Sequence, residues 1–209
     1  MLERITSTLW GWGFLYYIGG GASFPGVSAL NDHLATYGYP TVPEAYVSHL
    51  KGWRFFMKGY ALSHFSGGIW GGSATYGDRI VAIDGDYYYY SLGRLVTLRS
   101  KVLYLIPSVG LGRSSLVLTV GDNVVKFDSL LSSPGQISHL ETSSWVLTPE
   151  VELVWRKESF LFIGGRLGYM LAFPKGNWST EGIGVRKGPP TSLDGPYFNL
   201  VIGLGFVML

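Results

Sequence analysis

The sequence predicts an all-β chain: an eight-stranded antiparallel up-and-down transmembrane β-barrel with a partly helical first loop. Three observations lead there. Of 209 residues, 47% are hydrophobic and only 14% charged, against about a quarter charged in soluble domains, and the mean hydropathy is +0.23. Thirty glycines, ten prolines and an aromatic share of 15% disfavour a helical bundle and a disordered chain alike. Apolar residues recur at every second position through most of the chain, the period of strands. Residues 1–209 read as one domain. With no cysteine, a disulfide framework, a thiolate zinc site and a cysteine nucleophile are excluded. A net charge of +2 lacks the electrostatic footprint of a nucleic-acid binder.

The first strand is expected over residues 9–22, where Trp10, Trp12, Phe14, Tyr16 and Ile18 alternate. A membrane helix there is disfavoured by Gly11, Gly13 and Gly19 to Gly21, each costing about 1 kcal/mol relative to alanine. A secretory signal ending near Gly21-Ala22 is the rival reading. The long loop 23–52 follows, with Val27, Leu30, Leu34 and Tyr37 at helical spacing, Ser28 as N-cap, and Gly38 with Pro40 as terminators. A second short helix is expected from Pro43 toward Leu50, and the two could form a lid over the barrel mouth.

The second strand is expected over 53–66, with Phe55, Met57, Gly59, Ala61 and Phe65 opposing Arg54, Lys58, Tyr60 and His64. A long turn over 67–78 leads to a strand over 79–95, where Val81, Ile83, Tyr87, Tyr89 and Leu95 oppose Asp84, Asp86 and Arg94. Two strands follow, over 99–112 and 115–127, then a long loop over 128–142. Residues 145–156 alternate most cleanly, with Trp145, Leu147, Pro149, Val151, Leu153 and Trp155 opposite Thr148, Glu150, Glu152 and Arg156. Residues 159–173 set Leu161, Ile163, Leu167, Tyr169, Leu171 and Phe173 opposite Arg166 and glycines. An exposed loop over 174–195 precedes the last strand, with Phe198, Leu200, Ile202, Leu204, Phe206 and Met208 on one face.

Segments of this length can cross a bilayer at the tilt of barrel strands. Bulk on one face opposite glycine and charge on the other fits a narrow bore. The aromatic and aliphatic faces of 145–155 and 198–206 are therefore expected to meet lipid. A soluble, lipocalin-like carrier of an apolar ligand would turn those faces inward.

The alternating strands, the aromatic-rich strand ends and a last strand from Tyr197 to Leu209 resemble the small outer-membrane β-barrel proteins of bacteria, the OmpA/OmpX-like architecture. In that family the last strand usually ends in an aromatic residue; here Leu209 is last and Phe206 stands three positions earlier. The resemblance implies a bacterial outer-membrane location, with the natural export signal upstream of residue 1. It implies membrane lipids as partners, and lipopolysaccharide or a surface partner reached through the long loops. Being architectural, it assigns no particular activity.

Arg54, Lys58, Asp84, Asp86, Arg94, Glu150, Glu152, Arg156 and Arg166 are all expected on the non-lipid faces, five positive and four negative. Unpaired charge in a low-dielectric bore costs several kcal/mol, so an interlocked ionic plug is expected; a polar channel is the alternative. The same-face pairs Asp84/Asp86 and Glu150/Glu152 suggest a glycosidase, but strand periodicity alone produces that spacing. His64-Phe65-Ser66 followed by Asp78 resembles the catalytic arrangement of lipid A deacylases, which would make His64 the base, Ser66 the nucleophile and Asp78 the orienting acid. Gly67 stands where that family has asparagine, and Asp78 where it has glutamate. A non-enzyme is expected, with His64 at a polar rim. Asn31-Asp32-His33 and His139-x-Glu141 lack a third metal ligand at recognisable spacing. Gly19-Gly20-Gly21 lacks the lysine and helix of a phosphate loop. No metal and no cofactor are expected.

Overall fold

The computed structural model describes residues 11–99, 102–122, 137–180, 183–185 and 188–208. Trp10, the predicted strand end at 123–127, most of the loop 128–142 and Leu209 lie outside them. The wall consists of β1 (Trp12–Ser23), β2 (Tyr46–Met57), β3 (Tyr60–Tyr76), β4 (Arg79–Arg94), β6 (Leu103–Asp122), β7 (Ile137–Arg156), β8 (Leu161–Phe173) and β11 (Gly195–Met208). Three short strands, β5 (Val96–Arg99), β9 (Trp178–Thr180) and β10 (Ile183–Gly184), are appended to it. The order β8-β11-β1-β2-β3-β4-β6-β7 closes through the β7–β8 pairing, and every pairing is antiparallel. Trp12, Met57 and Met208 meet at one rim, the near rim, where connections are short. The helix-bearing loop and the connection 174–194 lie at the far rim.

The number eight is right, yet two boundaries differ and compensate. Residues 53–66 belong to two strands, because Lys58 and Gly59 turn the chain with φ of 51° and 80°. Positive φ at both central residues is the backbone of a type I′ two-residue hairpin. Met57 pairs with Tyr60 across it, so the outward parity changes from odd to even. Conversely, the predicted break between 112 and 115 is absent: both sides of it belong to β6, which alternates from Tyr104 to Leu118. Gly110 and Gly112, just before that predicted break, face inward, and a Cβ at Gly110 would lie 2.5 Å from the Tyr89 ring.

The predicted turn 67–78 is the upper part of β3. A bulge between Ile69 and Gly72 inserts one residue and switches the buried parity from Phe65 and Ile69 to Gly72. Gly77, at φ 58°, then makes the actual turn. The second helix expected from Pro43 toward Leu50 does not form: β2 begins at Tyr46, with Tyr46, Ser48 and Leu50 buried in alternation, so the period of two prevails.

Helix α1 (Ser28–Thr36) forms where its spacing predicts, with Leu30 and Leu34 buried. Val27 occupies the N-cap position without a side-chain cap, and Ser28 is the first helical residue. Gly38 ends the segment at φ 72°. The Asn31 amide ties α1 to the returning chain, donating to the Val42 carbonyl at 3.0 Å and accepting from its N–H at 2.8 Å. The loop 174–195 is not simply exposed: Trp178, Thr191, Ser192 and Leu193 are buried. Trp178 donates to the Pro189 carbonyl at 2.7 Å, and Leu193 packs over inward-facing Gly85. Chain from both loops therefore folds into the mouth.

Candidate functional site

The inward faces of β2, β7 and β8 bring Arg54, Glu150, Glu152 and Arg166 together near the middle of the bore, all buried. Arg54 pairs with Glu152 at 2.9 Å, and Arg166 pairs with Glu150 and, at 3.4 Å, with Glu152. Two guanidinium and two carboxylate groups cancel in charge. Glu150 also accepts from Tyr197 at 2.6 Å, Tyr89 at 2.9 Å and Ser108 at 2.8 Å. Arg54 donates to Ser63 at 2.7 Å. The Phe65 ring packs against both guanidinium groups, its centre 3.8 Å from that of Arg166 and 5.4 Å from that of Arg54. The interior tyrosines fit because glycines stand beneath them: a Cβ at Gly67 or Gly168 would lie under 3 Å from Tyr87 or Tyr197.

The other five predicted interior charges are elsewhere. Asp84, Asp86 and Arg94 point outward from β4, while Val81, Ile83, Tyr87 and Tyr89 point in. Sorting by bulk and charge inverts this strand because it outreaches the apolar belt. Its outward centre is Tyr88, Tyr90 and Leu92, and its charges lie toward the two rims, where water or lipid headgroups can solvate them. Lys58 sits in the near-rim hairpin, and Arg156 ends β7 at the same rim, only partly buried. Tyr89, Tyr197, Ser63, Ser108 and Phe65 escaped the sequence reading. Pairing of β4 with β3 and β6, unreadable from the β4 pattern alone, is what turns its tyrosines inward.

His64 and Ser66 also face outward, a consequence of the Lys58-Gly59 hairpin. His64 contacts the rings of Tyr90 and Trp53 at 4.7 and 6.0 Å. Asp78 is at the far tip of the β3–β4 hairpin, ten residues from Tyr88, which pairs with Ser66. That is about 30 Å along the strands, so Asp78 cannot orient His64 and the three do not form a triad. Among the described residues, no hydrogen bond joins His64 to Ser66, and no three metal-ligating side chains converge.

Outside, the large side chains form a continuous belt. On β7, Trp145, Leu147, Val151, Leu153 and Trp155 are exposed; on β11, so are Phe198, Leu200, Ile202, Leu204 and Phe206. Trp145 and Trp155 bracket the β7 part. Their ten-residue separation spans roughly 25 Å at a barrel strand's tilt, the height of the apolar band of outer-membrane barrels. Beyond Trp145 the same face carries Ser143 and Glu141, so polarity changes sharply at the aromatic ring.

No family model matches the chain, and no curated protein sequence is similar to it. Solved structures are similar in fold. A major outer membrane protein from Thermus thermophilus is 12% identical, with 93% of this chain and 99% of that one covered at a TM-score of 0.53. The attachment invasion locus protein Ail of Yersinia pestis is 12% identical over 95% and 97% of the two chains, TM-score 0.47. The N-terminal barrel domain of Pseudomonas aeruginosa OprF is 12% identical over 92% and 97%, TM-score 0.44. With its closed eight-strand topology and apolar exterior, the chain has the fold of the small bacterial outer-membrane β-barrels.

Proposed function

We propose that the protein resides in a bacterial outer membrane as a closed, non-enzymatic barrel with a structural or surface-interaction role. The observation that carries this reading is the pairing of an outward apolar belt with a charge-balanced ionic core. A soluble carrier would need the opposite arrangement, an apolar cavity inside and polar groups outside. A channel would need a bore that its side chains leave open; in an eight-stranded barrel they normally fill it. Here the Arg54, Arg166, Glu150 and Glu152 groups and their tyrosines occupy the middle. Helix α1 and the 174–194 segment give the far rim a folded surface through which lipopolysaccharide or a surface partner would be met.

The expected result in planar bilayers is no stable single-channel conductance at neutral pH. Reproducible current steps would overturn the closed-core reading; Arg166→Met should then alter their ion selectivity.

A further inference from the structure

Over β2, β3 and β4 the belt turns polar at a depth where the rest of the wall is apolar. Depth follows from the register. A single rung runs from Trp155 to Ile163, Ile202, Ile18 and Lys51, then through Ser66, Tyr88 and Arg113 to Trp145. It leaves β7 at Trp155 and returns to β7 ten residues nearer the far rim, so each step around the barrel climbs by the same fraction of that height. Lys51 stands four steps from either tryptophan. It points outward from the middle of the belt, where a cation facing lipid tails is strongly disfavoured.

Lys51 is not alone at this depth. His64, Ser66 and Gly68 succeed one another on the outward face of β3, and His49 lies beside them on β2. The opposite wall carries Leu147, Leu167, Leu171, Phe198 and Leu200 at comparable depths. Toward the near rim the polar face gives way to Trp53, Phe55, Leu62 and Leu92. Only the near half of the belt is therefore apolar over these three strands.

The polar half is also concave. A groove of about 480 Å³ runs across it from Lys51 to Arg113, one step below Trp145. Its floor is at Gly68, where an added Cβ would lie 2.8 Å from the Asp86 carboxylate and 3.0 Å from the His49 ring. Among the described residues no ion pair engages Lys51, and a second copy would not supply one. Two chains inserted in the same sense are related by an axis along the membrane normal, so each residue meets groups at its own depth. The outward acid nearest in depth among the described residues is Asp86, about 11 Å farther toward the far rim. The groove instead gives Lys51 an open polar path to the far rim. Water and lipid phosphates reach a cation at tail depth when the bilayer thins beside it.

We infer that the far leaflet is indented over β2, β3 and β4, where anionic lipid headgroups and their water descend the groove toward Lys51. The inference rests on the membrane placement proposed above. It gives the barrel one lateral face that matches the bilayer and one that thins it.

The test compares single cysteines at matching depth on the two faces. Ser66 is one step above Lys51, and Phe198 lies four residues beyond Ile202 toward the far rim. Ser66→Cys and Phe198→Cys chains are folded into vesicles of phosphatidylcholine and phosphatidylglycerol, with a charged methanethiosulfonate reagent on both sides. Ser66→Cys is expected to react about tenfold faster, because a charged reagent is excluded from the tails around Phe198. Adding Lys51→Leu should slow that reaction several-fold as tails return, with folding checked by heat-dependent gel mobility. Equally slow reaction at both positions would overturn the indentation, as would a Ser66→Cys rate that Lys51→Leu leaves unchanged. A rate that falls as the chain-to-lipid ratio rises would overturn it in favour of a second copy covering the face. Rapid reaction at Phe198→Cys as well would overturn the membrane placement itself, and the indentation with it.

Discussion

Arg166→Met is expected to cost about 3–5 kcal/mol of folding free energy, the range for breaking a buried ion pair by removing one partner. Arg166 is fully buried and is shared between Glu150 and Glu152. Its loss leaves two carboxylates facing the single guanidinium of Arg54, and removes the cation over Phe65. The desolvation of Glu150 is then only partly offset by Tyr89, Tyr197 and Ser108. Adding Glu150→Gln restores charge balance, so the double variant should recover part of the loss. A double-mutant cycle by urea titration in detergent isolates the coupling, expected within about 0.5–3 kcal/mol. A single variant as stable as the unmodified protein would show that the ion network does not hold the core together.

Ile202→Arg should cost about 2–4 kcal/mol when the protein is folded into lipid vesicles, the depth-dependent penalty at the bilayer midplane. Ile202 is 47% exposed and central among the outward residues of β11, with Phe198 and Leu200 on one side and Leu204 and Phe206 on the other. It pairs laterally with Ile18 and Ile163, so no carboxylate stands beside it on either neighbouring strand. Thr75→Arg, beyond the belt near the far tip of β3, should cost about 0–1 kcal/mol. Equal penalties at the two positions would contradict the depth assigned to the belt.

The barrel class and the outward apolar rows of β7, β8 and β11 were legible because on these strands outward means apolar. Four core charges, Arg54, Glu150, Glu152 and Arg166, were legible for the same reason. β4 was misread because its outward acids stand beyond the belt, where the sorting rule no longer applies. Residues 53–66 were misread because a Lys58-Gly59 turn has no Asn-Gly or Asp-Gly signature, and the alternation on each side of it looks continuous. The division of β6 failed in the opposite sense: Gly110 and Gly112 resemble punctuation, yet they make room for Tyr89.

The central claim is that the large apolar face points into lipid. The chain has no cysteine, so single cysteines at Phe198, Leu200, Ile202, Leu204 and Phe206 can each carry a fluorophore without background. Reconstituted with lipids brominated along their tails, the labels should be quenched most strongly at Ile202 and progressively less toward Phe198 and Phe206. A label at Thr75 should be quenched little. Uniformly weak quenching along β11, equal to that at Thr75, would contradict the account and place that face away from the bilayer.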